Sequence, residues 1–72
     1  MELRPGRYRH FKGKFYDVIG VARHTETEEE LAVYRDETGR LWVRPLAMFL
    51  ERVRAGEVAV PRFEYVGPPP GP

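Results

Sequence analysis

Apolar and polar residues alternate in several short stretches of the chain, as they do in half-buried β-strands. Residues 7–11 alternate polar and aromatic side chains, and residues 15–23 are rich in β-branched and aromatic residues. Lys12 and Gly13 lie between these stretches and predict a tight reversal of the chain. Gly20 predicts a bulge or a sharp bend inside the second strand. The pattern therefore begins with two strands joined by a hairpin turn.

A second hairpin is predicted over residues 31–44, around the turn Asp36-Glu37-Thr38-Gly39. A type I turn followed by glycine sets a register that pairs Tyr34 with Trp42 and Val33 with Val43. One face of this hairpin then carries the aliphatic residues Leu31, Val33, Leu41 and Val43. The other face carries Ala32, Tyr34, Trp42 and Arg44. We predict that the aliphatic face belongs to the core.

A short helix is predicted after Pro45, which is well suited to a first helical turn. Apolar residues follow at helical spacing, namely Leu46, Phe49, Leu50 and Val53. Ala55 and Gly56 end this predicted two-turn helix. One more extended segment is predicted over residues 58–65, with Pro61 restricting it to an edge or a strand end. Residues 67–72, GPPPGP, predict a disordered, polyproline-like tail.

The length of 72 residues allows one domain with one small core. Cysteine is absent, so neither disulfides nor thiolate metal sites can stabilise the fold, and the nine aromatic residues must supply the buried area. Several strands, short turns and one short helix predict a mainly β fold, a small SH3-like antiparallel barrel. An OB-like barrel is the alternative, but it usually needs a longer chain. We assign the domain to residues 1–66 and the tail to residues 67–72.

The formal net charge of +1 is unevenly distributed. Residues 1–23 carry +4, residues 24–39 carry −5 and residues 40–72 carry +2. A total this small argues against sequence-independent binding of nucleic acid through many phosphates, although it leaves room for a local basic patch.

The first residues contain no apolar run, and no stretch is long enough to span a membrane, so we expect a cytoplasmic protein. The absence of Asn, Gln and Cys, which are thermolabile residues, favours a thermophilic source.

The loop at residues 23–27 is the first candidate site, with the residues Arg23, His24, Thr25, Glu26 and Thr27. A histidine beside carboxylates is a candidate general base or metal ligand. Three alternatives stay open for this loop: a turn capped by a threonine hydroxyl, a ligand-binding loop, and a catalytic loop. The spacing of its acids and histidine falls short of a metal site, and we assign no catalytic residue, metal or cofactor.

The face with Tyr34, Trp42 and Arg44 is the second candidate site, because aromatic rings beside arginine suit stacked bases, planar ligands or an extended peptide. The alternative is that Trp42 fills the core. Our leading hypothesis is a non-enzymatic binding module for RNA or a peptide, using this face together with the 23–27 loop. One rival is a small metal-assisted hydrolase that uses His24 and Glu26. Another is a structural subunit that lends its sheet edge to a homo-oligomer or a larger complex.

A series of motifs runs in order along the chain: PGRYRHFKG over residues 5–13, YxVxGxARHTETxE over 16–29, VY over 33–34, LWVRPxxMF over 41–49 and VPRF over 60–63. In this combination the chain resembles a family of short bacterial proteins known as domain of unknown function 1653. The resemblance extends from Pro5 to about Phe63. It implies an SH3-like barrel, and it carries no established activity or ligand that can be transferred.

Overall fold

The computed structural model describes residues 2–69, which form seven strands and one helix. In chain order these are β1 (Gly6–His10), β2 (Phe15–Arg23), β3 (Glu30–Arg35), β4 (Leu41–Pro45), α1 (Leu46–Phe49), β5 (Arg52–Ala55), β6 (Val58–Pro61) and β7 (Phe63–Gly67). Within the described residues, no helix is long and apolar enough to cross a membrane.

The strands form two antiparallel sheets. The larger sheet has five strands in the order β4-β3-β2-β1-β7, and β5 pairs with β6 in a separate hairpin. The predicted fold class is confirmed as a small, mainly β domain with antiparallel sheets and one short helix. The larger sheet ends at β4 and β7, which do not pair with each other, so it does not close into a barrel.

The register of the second hairpin is confirmed. Tyr34 lies opposite Trp42 and Val33 lies opposite Val43. The Asp36 N–H donates to the Arg40 carbonyl at 3.0 Å and closes the turn. The predicted bulge in β2 is also confirmed, because the pairing of β2 with β3 shifts between Val18 and Gly20.

The predicted assignment of the hairpin faces is wrong. Ala32 and Tyr34 are buried, with 0% and 6% of their surface exposed, whereas Leu41 and Val43 are exposed. The core forms on the Tyr34 side because α1 and its neighbours supply large rings there, and burying rings removes more apolar area from water than burying Leu and Val. The aliphatic residues therefore lie on the outer face of the sheet.

The core is built around an aromatic cluster. Phe49 from α1 and Phe63 from β7 stack with ring centroids 4.0 Å apart and planes 4° apart. Tyr34 contacts both rings, with centroid distances of 5.5 and 5.9 Å. The buried apolar residues are Leu3, Tyr8, Val18, Ala32, Tyr34, Leu46, Phe49 and Phe63.

The predicted helix is too long. α1 comprises only residues 46–49, and the Leu50 N–H donates to the Leu46 carbonyl at its end. Of the predicted apolar stripe, Leu46 and Phe49 are buried, Leu50 is exposed, and Val53 belongs to β5. Gly56, with φ +70°, lies in the turn between β5 and β6, where β-branched residues favour a hairpin over a second helical turn.

The last extended segment is two strands instead of one. Pro61 ends β6, as its missing N–H predicts, and β7 then joins the larger sheet beside β1. Arg62, between β6 and β7, donates from its backbone N–H to the Glu51 carbonyl, and its guanidinium pairs with the Glu51 carboxylate. Of the tail predicted over residues 67–72, Gly67 is the last residue of β7, and residues 70–72 lie outside the described residues.

Gly6 is the position where the backbone has least tolerance for a side chain. It is buried with φ +146°, and a Cβ there would lie 2.6 Å from the Gly67 carbonyl oxygen and 2.7 Å from the Tyr65 ring. We predict that Gly6→Ala lowers the free energy of unfolding by about 2 kcal/mol or more, because the backbone of β7 must shift. Urea denaturation measures this change.

Gly20→Ala is the matched control for this prediction. A Cβ at Gly20 meets nothing within 4 Å. We expect its free energy of unfolding to stay within about 0.5 kcal/mol of the parent chain. Equal losses in the two variants would contradict the close approach of β1 and β7 at Gly6.

Candidate functional site

A cleft of about 500 Å³ opens beside the β3–β4 turn, where the start of β2 lies next to the end of β3. Its volume falls within the range of small-molecule and cofactor pockets. The cleft is lined by Lys14, Phe15, Tyr16, Tyr34, Asp36, Glu37, Thr38, Trp42 and Arg44. Aromatic rings and charged groups of both signs therefore meet in one depression.

Asp36 organises the turn at the rim of the cleft. Its Oδ1 accepts from the Thr38 hydroxyl at 2.6 Å, and from the backbone N–H groups of Thr38 and Arg40 at 2.9 and 3.1 Å. Its Oδ2 accepts from the Trp42 indole N–H at 2.7 Å. Hydrogen bonds from the Thr38 hydroxyl and the Trp42 indole hold the pKa of Asp36 well below its usual range. The carboxylate thus stays charged in mildly acidic solution.

Trp42 presents an oriented ring to the cleft. The bond to Asp36 occupies its N–H, and the Arg40 guanidinium lies 5.7 Å from the ring centroid. The residue nevertheless keeps 44% of its surface exposed. A side chain held at its polar edge and open elsewhere offers a ring surface to a ligand without offering a hydrogen-bond donor.

The floor of the cleft is shared with the core. The rings of Tyr16 and Tyr34 meet edge to face, with centroids 5.5 Å apart. Tyr34 is also one of the buried residues that contact Phe49 and Phe63. The position of the floor therefore depends on the packing of the core below it.

The charges around the cleft balance one another. Lys14 and Arg44 are basic, and Asp36 and Glu37 are acidic. The Glu37 carboxylate accepts from the Phe15 backbone N–H at 3.1 Å and so joins the β3–β4 turn to the start of β2. Arg44 lies with its guanidinium carbon 5.4 Å from the Phe63 ring centroid. The cleft is polar at its rim and has no excess of one charge.

The structure brings together only part of the predicted binding set. Tyr34, Trp42 and Arg44 line the cleft, with Tyr34 buried in its floor. The loop with Arg23, His24, Thr25, Glu26 and Thr27 does not line it. That loop connects the end of β2 to the start of β3, whereas the cleft lies at the other end of β3, roughly 17 Å away along the strand.

Hydrogen bonds within the 23–27 loop form a capped turn. The His24 Nδ1 accepts from the backbone N–H groups of Glu26 and Thr27 at 3.1 and 3.3 Å. The Thr27 hydroxyl accepts from the Glu29 N–H at 3.2 Å, which matches the capped-turn alternative. The Nδ1 lone pair of His24 is thus engaged by backbone N–H groups of its own loop.

His10 has a similar structural role. Its Nδ1 accepts from the Lys12 N–H at 3.1 Å, and its ring packs against Phe63 with centroids 4.9 Å apart. Burial, assisted by the nearby charge of Arg62, lowers the pKa of His10. Among residues 2–69, no group of three or more His, Asp or Glu side chains is placed to hold a metal ion.

The sequence prediction missed most of the acidic and basic groups around the cleft. The sequence predicts Asp36 only as a turn residue, although the predicted register contains a signal for it. Ala32, Tyr34 and Asp36 alternate along one face, so Asp36 falls on the same side as Trp42. Lys14, Phe15 and Tyr16 carried no such signal, because they reach the cleft only through the pairing of β2 with β3.

These features define a class: a small, mainly β domain of antiparallel strands with an aromatic cleft beside a hairpin turn. The chain belongs to the family described as protein of unknown function (DUF1653), whose pattern it matches over residues 6–65. The resemblance noted in the sequence is thereby confirmed.

A solved structure supports the same assignment. The crystal structure of a protein belonging to DUF1653 from Bordetella bronchiseptica is 39% identical in sequence, with a TM-score of 0.85. The alignment covers 97% of this chain and 95% of that one. Among curated proteins, no significant match was found.

Asp36→Ala tests how the indole is held. We predict that the variant loses protection of the Trp42 indole proton from solvent exchange, because that proton loses its acceptor. The chain has a single tryptophan, so one indole N–H signal in an NMR spectrum reports the change. Asp36→Asn keeps one carbonyl acceptor, and we expect intermediate protection.

The same NMR signal gives a pH prediction. Asp36 has a lowered pKa in the folded chain, so its carboxylate stays charged at pH values where an ordinary aspartate is already protonated. Its hydrogen bonds are lost only when the pH falls below that range. We expect the parent indole signal to stay unchanged down to about pH 4, where an ordinary aspartate is half protonated. A midpoint at that pH would contradict the described role of Asp36.

Proposed function

We propose that this protein is a non-enzymatic binding module of the bacterial cytoplasm that holds an extended, proline-rich peptide segment in the aromatic cleft. The observation that carries the proposal is an oriented and partly exposed indole above a floor of two tyrosines. The sequence analysis also favours a binding module, but the site proposed now is the cleft alone, without the 23–27 loop.

Proline-rich segments suit this cleft for two physical reasons. Polyproline II helices are extended before they bind, so little conformational entropy is lost on docking. Their apolar pyrrolidine rings pack on aromatic side chains, which is how aromatic-lined grooves recognise such peptides. Phe15, Tyr16 and Trp42 supply the aromatic surface, and Thr38 supplies a hydroxyl at the rim.

A peptide is favoured over RNA by the charges of the cleft. Binding of single-stranded nucleic acid draws on a positively charged groove that follows the phosphates. Here the basic side chains of Lys14 and Arg44 are offset by Asp36 and Glu37. Because Asp36 stays ionised, it would repel a phosphate placed beside Trp42.

The 23–27 loop is left outside the proposed site. Its distance from the cleft and the internal hydrogen bonds of His24 support this choice. The same hydrogen bonds weigh against the hydrolase alternative, which requires His24 as a base beside Glu26.

Trp42→Ala tests the proposal. An oligoproline peptide is the probe, and a glycine–serine peptide of the same length is the negative probe. We predict that the parent chain binds oligoproline with saturable quenching of its single tryptophan. Trp42→Ala should weaken binding at least about tenfold in calorimetry, because it removes the central ring of the cleft.

Thr25→Ala is the control variant, since Thr25 is exposed and lies in the distant loop. Its affinity for oligoproline should match that of the parent chain. Oligouridine RNA is a second probe. Failure of the parent chain to bind oligoproline would contradict the proposal. Binding of oligouridine that depends on Trp42 would show that the ligand of the cleft is RNA and not a peptide.

A further inference from the structure

The strand β4 leaves an apolar edge on the larger sheet. Among the described residues it pairs only with β3. Leu41 and Val43 expose 55% and 58% of their surface, and Trp42 between them is also exposed. Natural proteins usually protect a sheet edge with charges, prolines or bulges, because an unpaired edge recruits other strands.

The opposite edge shows what such protection looks like in this fold. β7 carries the charged residue Glu64, and its pairing with β1 shifts between Arg7 and Tyr8. Pro68 and Pro69 follow directly after the strand. β4 has a charge and a proline only at its last two residues, Arg44 and Pro45, so the three consecutive apolar residues before them remain unprotected.

The register of the hairpin fixes which backbone groups point outward from β4. The Asp36 N–H donates to the Arg40 carbonyl across the turn, so Arg40 points toward β3. Backbone direction alternates along a strand, which turns the N–H and carbonyl groups of Leu41 and Val43 outward. Pro45 also falls at an outward position, where its missing N–H costs the β3–β4 ladder no hydrogen bond.

We propose that β4 pairs antiparallel with β4 of a second copy of the chain, about a two-fold axis at Val43. Each Val43 N–H then donates to the carbonyl of the partner subunit's Val43. Each Leu41 N–H donates to the carbonyl of the partner subunit's Pro45. This register pairs all five residues of β4, because Val43 is the middle residue of the strand.

The side chains of β4 are complementary to themselves in this register. Trp42 lies opposite the partner subunit's Arg44, which allows a cation–π contact and keeps the two arginines apart. Val43 lies opposite the partner subunit's Val43, and Leu41 opposite the partner subunit's Pro45. Apolar residues thus meet apolar residues on the outer face. This match between identical strands argues for a second copy as the occupant of the edge.

The pairing would also bring the two clefts together. Directly opposite residues of an antiparallel pair share a face of the sheet, so Trp42 and Arg44 of both copies lie on the same side. Each cleft then gains the partner subunit's Arg44 at its rim beside Trp42. The dimer itself does not depend on peptide binding and stands if the cleft binds nothing.

Charge-swapped variants test the two-fold axis. Sedimentation equilibrium of the parent chain, from micromolar to millimolar concentration, should show dimers. Val43→Lys and Val43→Glu each place like charges opposite one another, and each should raise the dimer dissociation constant at least about tenfold. An equimolar mixture of the two variants should restore the dimer, because lysine then faces glutamate.

Val66→Lys is the matched control, since Val66 is an exposed valine on the opposite edge strand. It should leave the dimer intact. Circular dichroism checks that each variant is folded, which the exposure of Val43 leads us to expect. A parent chain that stays monomeric would overturn the proposal, and so would a dimer that survives Val43→Lys.

Amide hydrogen exchange tests the same pairing without any substitution. The Leu41 and Val43 amide protons have no acceptor within the described register, so they should exchange rapidly in dilute solution. We expect their protection to rise with protein concentration as the dimer forms. Protection that does not change across the dimerisation range would overturn the proposed register.

Discussion

The stacked rings of Phe49 and Phe63 are the contact on which the rest of the structure depends. Phe49 comes from the short helix α1 and Phe63 from the last strand, and Tyr34 of β3 packs against both. Tyr8 of β1 meets Phe49, and Tyr16 of β2 meets Phe63. A chain this short has room for one core, and this single cluster reaches α1 and four of the five strands of the larger sheet.

Because the large rings pack on one side of the sheet, the apolar residues on the other side stay exposed. α1 buries the Ala32 and Tyr34 face, and no second layer covers the outer face of the hairpin within the described residues. The aliphatic side chains of Leu41 and Val43 therefore stay exposed beside the unpaired edge of β4. Small domains bury a smaller fraction of their surface than large ones, and here β4 keeps three consecutive apolar residues exposed, namely Leu41, Trp42 and Val43.

The sequence predicted β1 to β4 and the register of the second hairpin because both follow from local rules of alternation and turn chemistry. It did not predict which face is buried, because that depends on where the Phe49 and Phe63 rings arrive from distant parts of the chain. The helical spacing from Leu46 to Val53 misled for a related reason: the pairing of β5 with β6 outweighed a short periodic pattern. Most of the residues that line the cleft were missed for a similar reason, since Lys14 comes to the same cleft as Asp36 only through the pairing of β2 with β3.

The cleft lies where the core reaches the surface, and this position divides its residues into two kinds. Tyr34 serves both the floor of the cleft and the buried cluster, so truncating it would open a cavity as well as alter the site. Trp42 contacts the turn through Asp36 but keeps much of its surface exposed, so it can be changed with less effect on folding. Loss of binding in a Tyr34 variant would therefore say little about recognition, whereas loss in a Trp42 variant separates binding from stability.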